Sequence, residues 1–206
     1  MHKVLITDVD GPLGNCNRIA DIYGVREIYD VCKKDPSVLQ EKLKGFGPEI
    51  NEMKYNFVKS FELNSGVKQT LMKLKKRDYD NFGSTDNLIF DRPQNVEVFM
   101  KKFYSNGKCC LDGIHCSKLS YIKDGKVKIE NNGSKEYFAE KLFRAYGKGI
   151  YIVDDKNDIE PTKHVRNLRN ELNLELNIIK VGHNCKELEK FSDYSVDGFP
   201  EILNYV

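Results

Sequence analysis

The chain has 206 residues, 40% of them hydrophobic, which suits one domain with a sizeable insertion or two small domains. Lys and Arg number 33 against 31 Asp and Glu, a formal net charge of +2, so nothing in the bulk charge points to nucleic acid or an acidic membrane. No apolar run reaches membrane-spanning length and the N-terminus enters a strand with no signal-peptide pattern, so we expect a cytoplasmic protein.

Val4-Leu5-Ile6-Thr7 reads as a buried strand that delivers Asp8 and Asp10, two residues apart, into a loop opened by Gly11. Carboxylates at i and i+2 of a strand project to one face. Their repulsion calls for a bound cation or a raised pKa on one of them. The pattern suits metal-assisted chemistry in which one carboxylate attacks and the other moves protons. A calcium loop is excluded, because the twelfth position counted from Asp8 is Ile19 rather than Glu.

The segment 12–64 reads as helical pieces. Asp35-Pro36-Ser37 starts a helix that Gly45 and Gly47-Pro48 stop, and Ile50, Met53, Phe57 and Phe61 form the stripe of a second. Ser65 then caps a helix with Val67, Leu71 and Leu74 on one side. Tyr79 to Gly83 is a polar strand candidate ending at Ser84-Thr85. A helix is expected over Asn95 to Tyr104, a strand over Lys108 to Leu111, and a hairpin joining Tyr121-Ile122 to Val127-Ile129 across Asp124-Gly125. Cys109, Cys110, His115 and Cys116 cluster locally, but adjacent cysteines on a strand point to opposite faces. Buried free thiols fit them better than a zinc site.

Ser134 caps a helix running to Tyr146, with Gly147 after its end. Ile150 to Val153 is a second apolar strand ending in acid: Asp154, Asp155 and, after Lys156-Asn157, Asp158. A helix from Pro161 to about Leu172, a strand Ile178–Val181, a short helix, a strand Tyr194–Val196 and a last helix from Pro200 complete the chain. The basic face of Lys163, Arg166 and Arg169 reads as solvated, and His164 and His183 as surface residues. Strands alternating with helices argue for α/β architecture: a Rossmann-like parallel sheet with helices on both faces. Ligands of such sheets bind beyond the carboxyl ends of the strands. Two acidic strand ends side by side would form an oxygen-rich site that suits Mg²⁺.

These landmarks, in this order, resemble the haloacid dehalogenase-like superfamily, mostly phosphatases and phosphotransferases. The resemblance spans the chain through scattered motifs. It implies a core of residues 1–11 and 65–206, with 12–64 as a small helical cap insertion. It implies Asp8 as nucleophile, Asp10 as general acid/base, Lys135 as the cation beside the phosphoryl group, and Asp8, Asp10, Asp154 and Asp158 around Mg²⁺. Asp155 stays open as an alternative to Asp154. Ser84, with Thr85 close behind, matches the phosphate-binding hydroxyl, and Ser117 is an outsider. Pro12 and Val153 depart from the family's usual residues without removing a catalytic group. The implied activity is a Mg²⁺-dependent phosphatase of a small phosphorylated metabolite, with no nucleic-acid or membrane partner. A scaffold that binds without turnover and a phosphotransferase are the alternatives. Asn15, Asn17, Arg18, Tyr23 and Lys54 are the cap's candidate substrate contacts.

Overall fold

The computed structural model describes residues 2–14, 49–85, 90, 92–116, 118–121, 127–130 and 134–206. Six parallel strands form the central sheet: β1 (Lys3–Asp8), β2 (Tyr79–Thr85), β5 (Gly113–Cys116), β8 (Lys148–Val153), β9 (Glu175–Val181) and β10 (Tyr194–Val196), in the spatial order β10-β9-β8-β1-β2-β5. The two acidic strands, β1 and β8, are central neighbours, with Thr7 opposite Ile152.

Side-chain alternation divides the core in two. Val4, Ile6, Tyr151, Val153 and Ile178 meet helices α4 (Lys135–Tyr146) and α5 (Ile159–Leu172) through Ala139, Phe143, Val165 and Leu168. Leu5, Ile150, Ile152, Ile179 and Val181 belong to the cluster on the other face. That cluster takes in α1 (Glu49–Ser60), α2 (Val67–Lys75) and α3 (Pro93–Lys101), with Phe57, Val58, Val67, Leu71 and Phe99. It also holds Phe199 and Ile202 of the 3₁₀ turn Phe199–Tyr205.

The polar strand β2 has a local explanation. Asn81 is fully buried, and its side-chain amide donates to the carbonyls of Leu71 at 3.1 Å and Cys110 at 2.9 Å. Asp112 accepts from the Asn81 amide at 2.7 Å and pairs with Lys75, which also holds Asp80. These polar groups tie α2 and the β5 approach to β2, where an apolar strand would carry no such registration.

Several elements differ from the sequence expectation. The segment Lys108–Leu111 supplies no strand of the central sheet: its strand β4 (Lys108–Cys109) pairs with β3 (Tyr104–Ser105) as a minimal hairpin across Asn106-Gly107, and the edge strand is β5. The third helix begins at Pro93 and stops at Lys101, short of that hairpin. Gly66, not Ser65, precedes α2, with no side-chain cap. The last two helical segments are 3₁₀ turns, Lys186–Lys190 and Phe199–Tyr205. A hairpin does form from β6 (Lys118–Tyr121) and β7 (Val127–Glu130). Its connection Asp124-Gly125, the helix begun at Asp35, Asn15, Asn17, Arg18, Tyr23 and Ser117 lie outside the described residues. Among the described residues no helix is long and apolar enough to cross a membrane.

Candidate active site

Asp8 ends β1 on the face of Val4 and Ile6, which is the α4 face. Ser134 caps α4, accepting from the Tyr137 amide at 3.3 Å, and Gly147 ends it in the left-handed region with φ 70°. The first residue of that helix, Lys135, therefore stands over the end of β1. Its Nζ donates to Asp8 Oδ1 at 2.9 Å and to Asp158 Oδ1 at 3.0 Å, with all three side chains buried.

The acidic turn after β8 separates its three aspartates by role. Asp155 caps the 3₁₀ turn Lys156–Asp158: its two oxygens accept from the Asn157 amide and side chain, each at 2.7 Å. Asp158 is fully buried and accepts from the Asp154 amide at 3.2 Å. Asp154 is 4% exposed, and its Oδ1 is buried with no hydrogen-bond partner. Carboxylate oxygens of Asp8, Asp154 and Asp158 lie within 4.8 Å of one another. The Asp10 carboxylate is not in that group. Its Oδ2 accepts from the Thr85 hydroxyl at 3.2 Å.

The loop after β1 is built to admit this cluster. Gly11 has φ +98°, and a Cβ there would coincide with the Asp154 carboxylate, so only glycine lets the two acidic loops approach. The loop closes through Gly11 N donating to Gly14 O at 2.8 Å and the Asn64 side chain donating to Gly11 O at 2.5 Å.

Ser84 and Thr85 are both buried at the end of β2, where Ser84 lies opposite Asp8. Phe82, two residues before Ser84, packs edge-on to Phe138 of α4, so Ser84 shares the face of Asp8 and Lys135. The Ser84 hydroxyl is buried without a partner, whereas the Thr85 hydroxyl serves Asp10. Sequence reading weighed these two residues as rivals for one task. Their neighbouring places on a strand send them to opposite sides, and that alternation was the available signal.

No protein-family profile matches the sequence, and no curated protein matches it. The structure does have likenesses. A phosphoserine phosphatase in apo form matches at a TM-score of 0.72 and 19% identity, over 100% of both chains. A phospho-aspartyl intermediate analogue of phosphoserine phosphatase matches at 0.65 and 20% identity, over 100% of this chain and 99% of that one. A proposed haloacid dehalogenase-like hydrolase from Burkholderia xenovorans LB400 matches at 0.57 and 13% identity, over 99% and 96%. This chain has the haloacid dehalogenase-like fold.

Within this haloacid dehalogenase-like fold the acidic cluster is under electrostatic stress. Burial pushes the Asp8 carboxyl well above its ordinary range. The Lys135 ammonium opposes that rise, and Asp158, Asp10 and Asp154 add to it. Asp154 is raised to about 8, chiefly by burial and then by Asp158 and Asp155. A dication relieves such a cluster, and the unpartnered Asp154 Oδ1 with two further buried carboxylates fits a hard, oxygen-seeking ion.

A pH dependence follows. Asp154 holds its proton in the native state up to about pH 8, whereas an unfolded aspartate loses it near 3.9. Between those values the native state binds more protons, so its contribution to stability is full below about pH 4 and is lost as pH rises through about 8. Metal binding competes with that proton. The rise in melting temperature on adding Mg²⁺ should therefore grow from pH 5.5 to 8.5. Thermal unfolding with and without Mg²⁺ across that range checks this. A pH-independent shift, or none, would contradict it.

The remaining candidates lie elsewhere. His164 is half-exposed and meets Glu140 at 2.9 Å, and His183 is exposed near Asp197. The basic face of α5 is less free than expected: Lys163 pairs with Glu160, Arg166 donates to Lys190 O, and Arg169 binds Leu176 O and Asp193. Arg166 and Arg169 tie the helix to the segments that follow it. Cys110 and Cys116 are buried free thiols. Burial pushes the Cys110 thiol up to about 11, so it is inert rather than reactive. Lys54 is fully buried on α1.

Proposed function

We propose that this protein is a Mg²⁺-dependent phosphatase of a small phosphorylated metabolite, working through an aspartyl-phosphate on Asp8. The observation that carries this reading is the buried triad of carboxylates around Asp8, cross-linked by the Lys135 ammonium and flanked by the partnerless Ser84 hydroxyl. The match to a phosphoserine phosphatase captured as a phospho-aspartyl analogue supports it.

In this reading Asp8 attacks phosphorus, and Lys135 and Ser84 bind phosphoryl oxygens. Asp10 protonates the departing oxygen and later takes a proton from the hydrolytic water. Asp8, Asp154 and Asp158 would hold Mg²⁺, and Asp10 is left for proton transfer. The ion supplies positive charge against the repulsion between a carboxylate nucleophile and a phosphate ester. Asp158, held by Lys135 and the Asp154 amide, keeps both in place. The insertion 12–64, of which residues 15–48 lie outside the described residues and α1 packs into the core, would as a cap exclude water and favour a small substrate.

The test is hydrolysis of 4-nitrophenyl phosphate with Mg²⁺ and with chelator, followed by acid quench to trap phosphoenzyme. Mg²⁺-dependent release and an acid-stable, hydroxylamine-labile phosphoprotein are expected. Absence of turnover on this ester and on a panel of phosphorylated metabolites would leave a binding scaffold as the better account. Transfer to an added alcohol in preference to water would make it a phosphotransferase.

A further inference from the structure

On the phosphatase reading above, we propose that Thr85 is the positioning residue for the proton-transferring carboxylate of Asp10. Thr85 is 1% exposed, and its Oγ1 lies 3.2 Å from Asp10 Oδ2, a contact between residues 75 apart in sequence. Asp10 sits past the end of β1, in a turn where Asp10 bridges Gly14, so the strand itself does not orient its side chain. It also stands close enough to Asp8 and Asp154 to be repelled by both. The Thr85 hydroxyl holds the carboxylate against that repulsion.

The chemistry of the anchor suits the task. A hydroxyl has one donor and two acceptor lone pairs. It donates to ionised Asp10 and can turn to accept from protonated Asp10, so it holds the group in both states. An ammonium or backbone amide could only donate, and would favour the ionised state alone. Asp10 must pass through both states in each cycle. In the first half, the Asp10 O–H bond breaks and its proton goes to the ester oxygen as the P–O ester bond breaks and the Asp8 O–P bond forms. In the second, water loses a proton to Asp10 while its oxygen bonds phosphorus and the Asp8 O–P bond breaks. Asp10 ends protonated, as it began.

The strand end thereby divides labour between adjacent hydroxyls. Ser84 faces Asp8 and Lys135, and Thr85 serves Asp10 from the other side of the strand. A residue without a hydroxyl after Ser84 would remove this contact from Asp10.

The experiment measures kcat/KM, which reports the first half-reaction, for 4-nitrophenyl, phenyl and benzyl phosphate in wild type, Thr85→Val and Thr85→Ser. The three esters are similar in size but differ in how much their leaving oxygen needs a proton. Thr85→Val, close in shape to threonine, should lose roughly tenfold to a hundredfold on benzyl phosphate and about threefold or less on 4-nitrophenyl phosphate. Thr85→Ser should restore most of the loss. Equal losses on all esters, no loss, or a serine variant as impaired as valine would each overturn the proposal while leaving the phosphatase reading intact. Wild type inactive on all three and on a panel of phosphorylated metabolites would overturn both. Circular dichroism and melting temperature of each variant identify any that fails to fold; should Thr85→Val fail, Thr85→Ala read against Thr85→Ser on the same three esters takes its place, with the same outcomes.

Discussion

Asp8→Asn is expected to abolish phosphate ester hydrolysis, lowering kcat by more than about a thousandfold, while the protein stays folded. An amide is a poor nucleophile, and removing the attacking group of a covalent mechanism leaves only the residual effect of binding and charge stabilisation. The stability outcome runs the other way. Asp8 is a buried carboxylate among Asp10, Asp154 and Asp158, and its charged form is disfavoured by burial in the native state. Replacing it with a neutral isostere removes that repulsion. Metal-free Asp8→Asn should melt no lower than the metal-free wild type above pH 7, and its gain from Mg²⁺ should be smaller, because one of three carboxylates is lost. Kinetics and thermal unfolding on the same preparation check both halves. Full activity in the variant would remove Asp8 from the chemistry. A large drop in melting temperature would mean that the Lys135 contact outweighs the repulsion.

Lys135→Ala should damage both activity and stability. Its ammonium bridges Asp8 and Asp158, at 2.9 and 3.0 Å, in a setting where all three groups are buried. Removing one partner of a buried ion pair leaves uncompensated charge and costs about 3–5 kcal/mol, a fall in melting temperature of roughly 10 °C for a chain of this size. Without the ammonium, Asp8 rises further above its ordinary range and a phosphate ester meets unrelieved repulsion, so kcat should fall by about a hundredfold or more. Mg²⁺ should recover part of the lost stability and little of the lost turnover. Lys141 and Lys148 offer no substitute, since Lys141 is exposed and Lys148 pairs with Glu175 at the opposite end of β8. Near-normal activity in a folded Lys135→Ala protein would sink the assigned role.

Legibility followed locality. The strand ends at Asp8 and Asp154 were readable because apolar runs must be buried, and carboxylates at their ends then gather at one edge of a parallel sheet. The Ser134 cap and the Gly147 stop were readable because a helix end is satisfied by residues next to it. Strand β5 was missed, because Gly113-Ile114-His115-Cys116 is short and carries one β-branched residue. Its place comes from pairing with β2, Ser84 opposite His115, and no local preference announces that pairing. The Lys108–Leu111 run does begin as a strand, but only over Lys108–Cys109 and in a two-stranded hairpin; Cys110 and Leu111 pack into the core from the loop after it, not from the central sheet.

By itself the sequence determined the alternation of strands and helices, the two acidic strand ends and the lysine at the start of α4, since periodicity, caps and short motifs act over a few residues. Only the tertiary structure decided among neighbours. Asp154 rather than Asp155 faces Asp8, because Asp155 is spent capping its own turn. Ser84 and Thr85 part to opposite sides of β2, one toward Lys135 and one to Asp10. Asp158 proves to be the second anchor of Lys135, 23 residues away in sequence. Such choices rest on which face a side chain takes and on which distant charge reaches it, and both are set by packing between elements rather than along the chain.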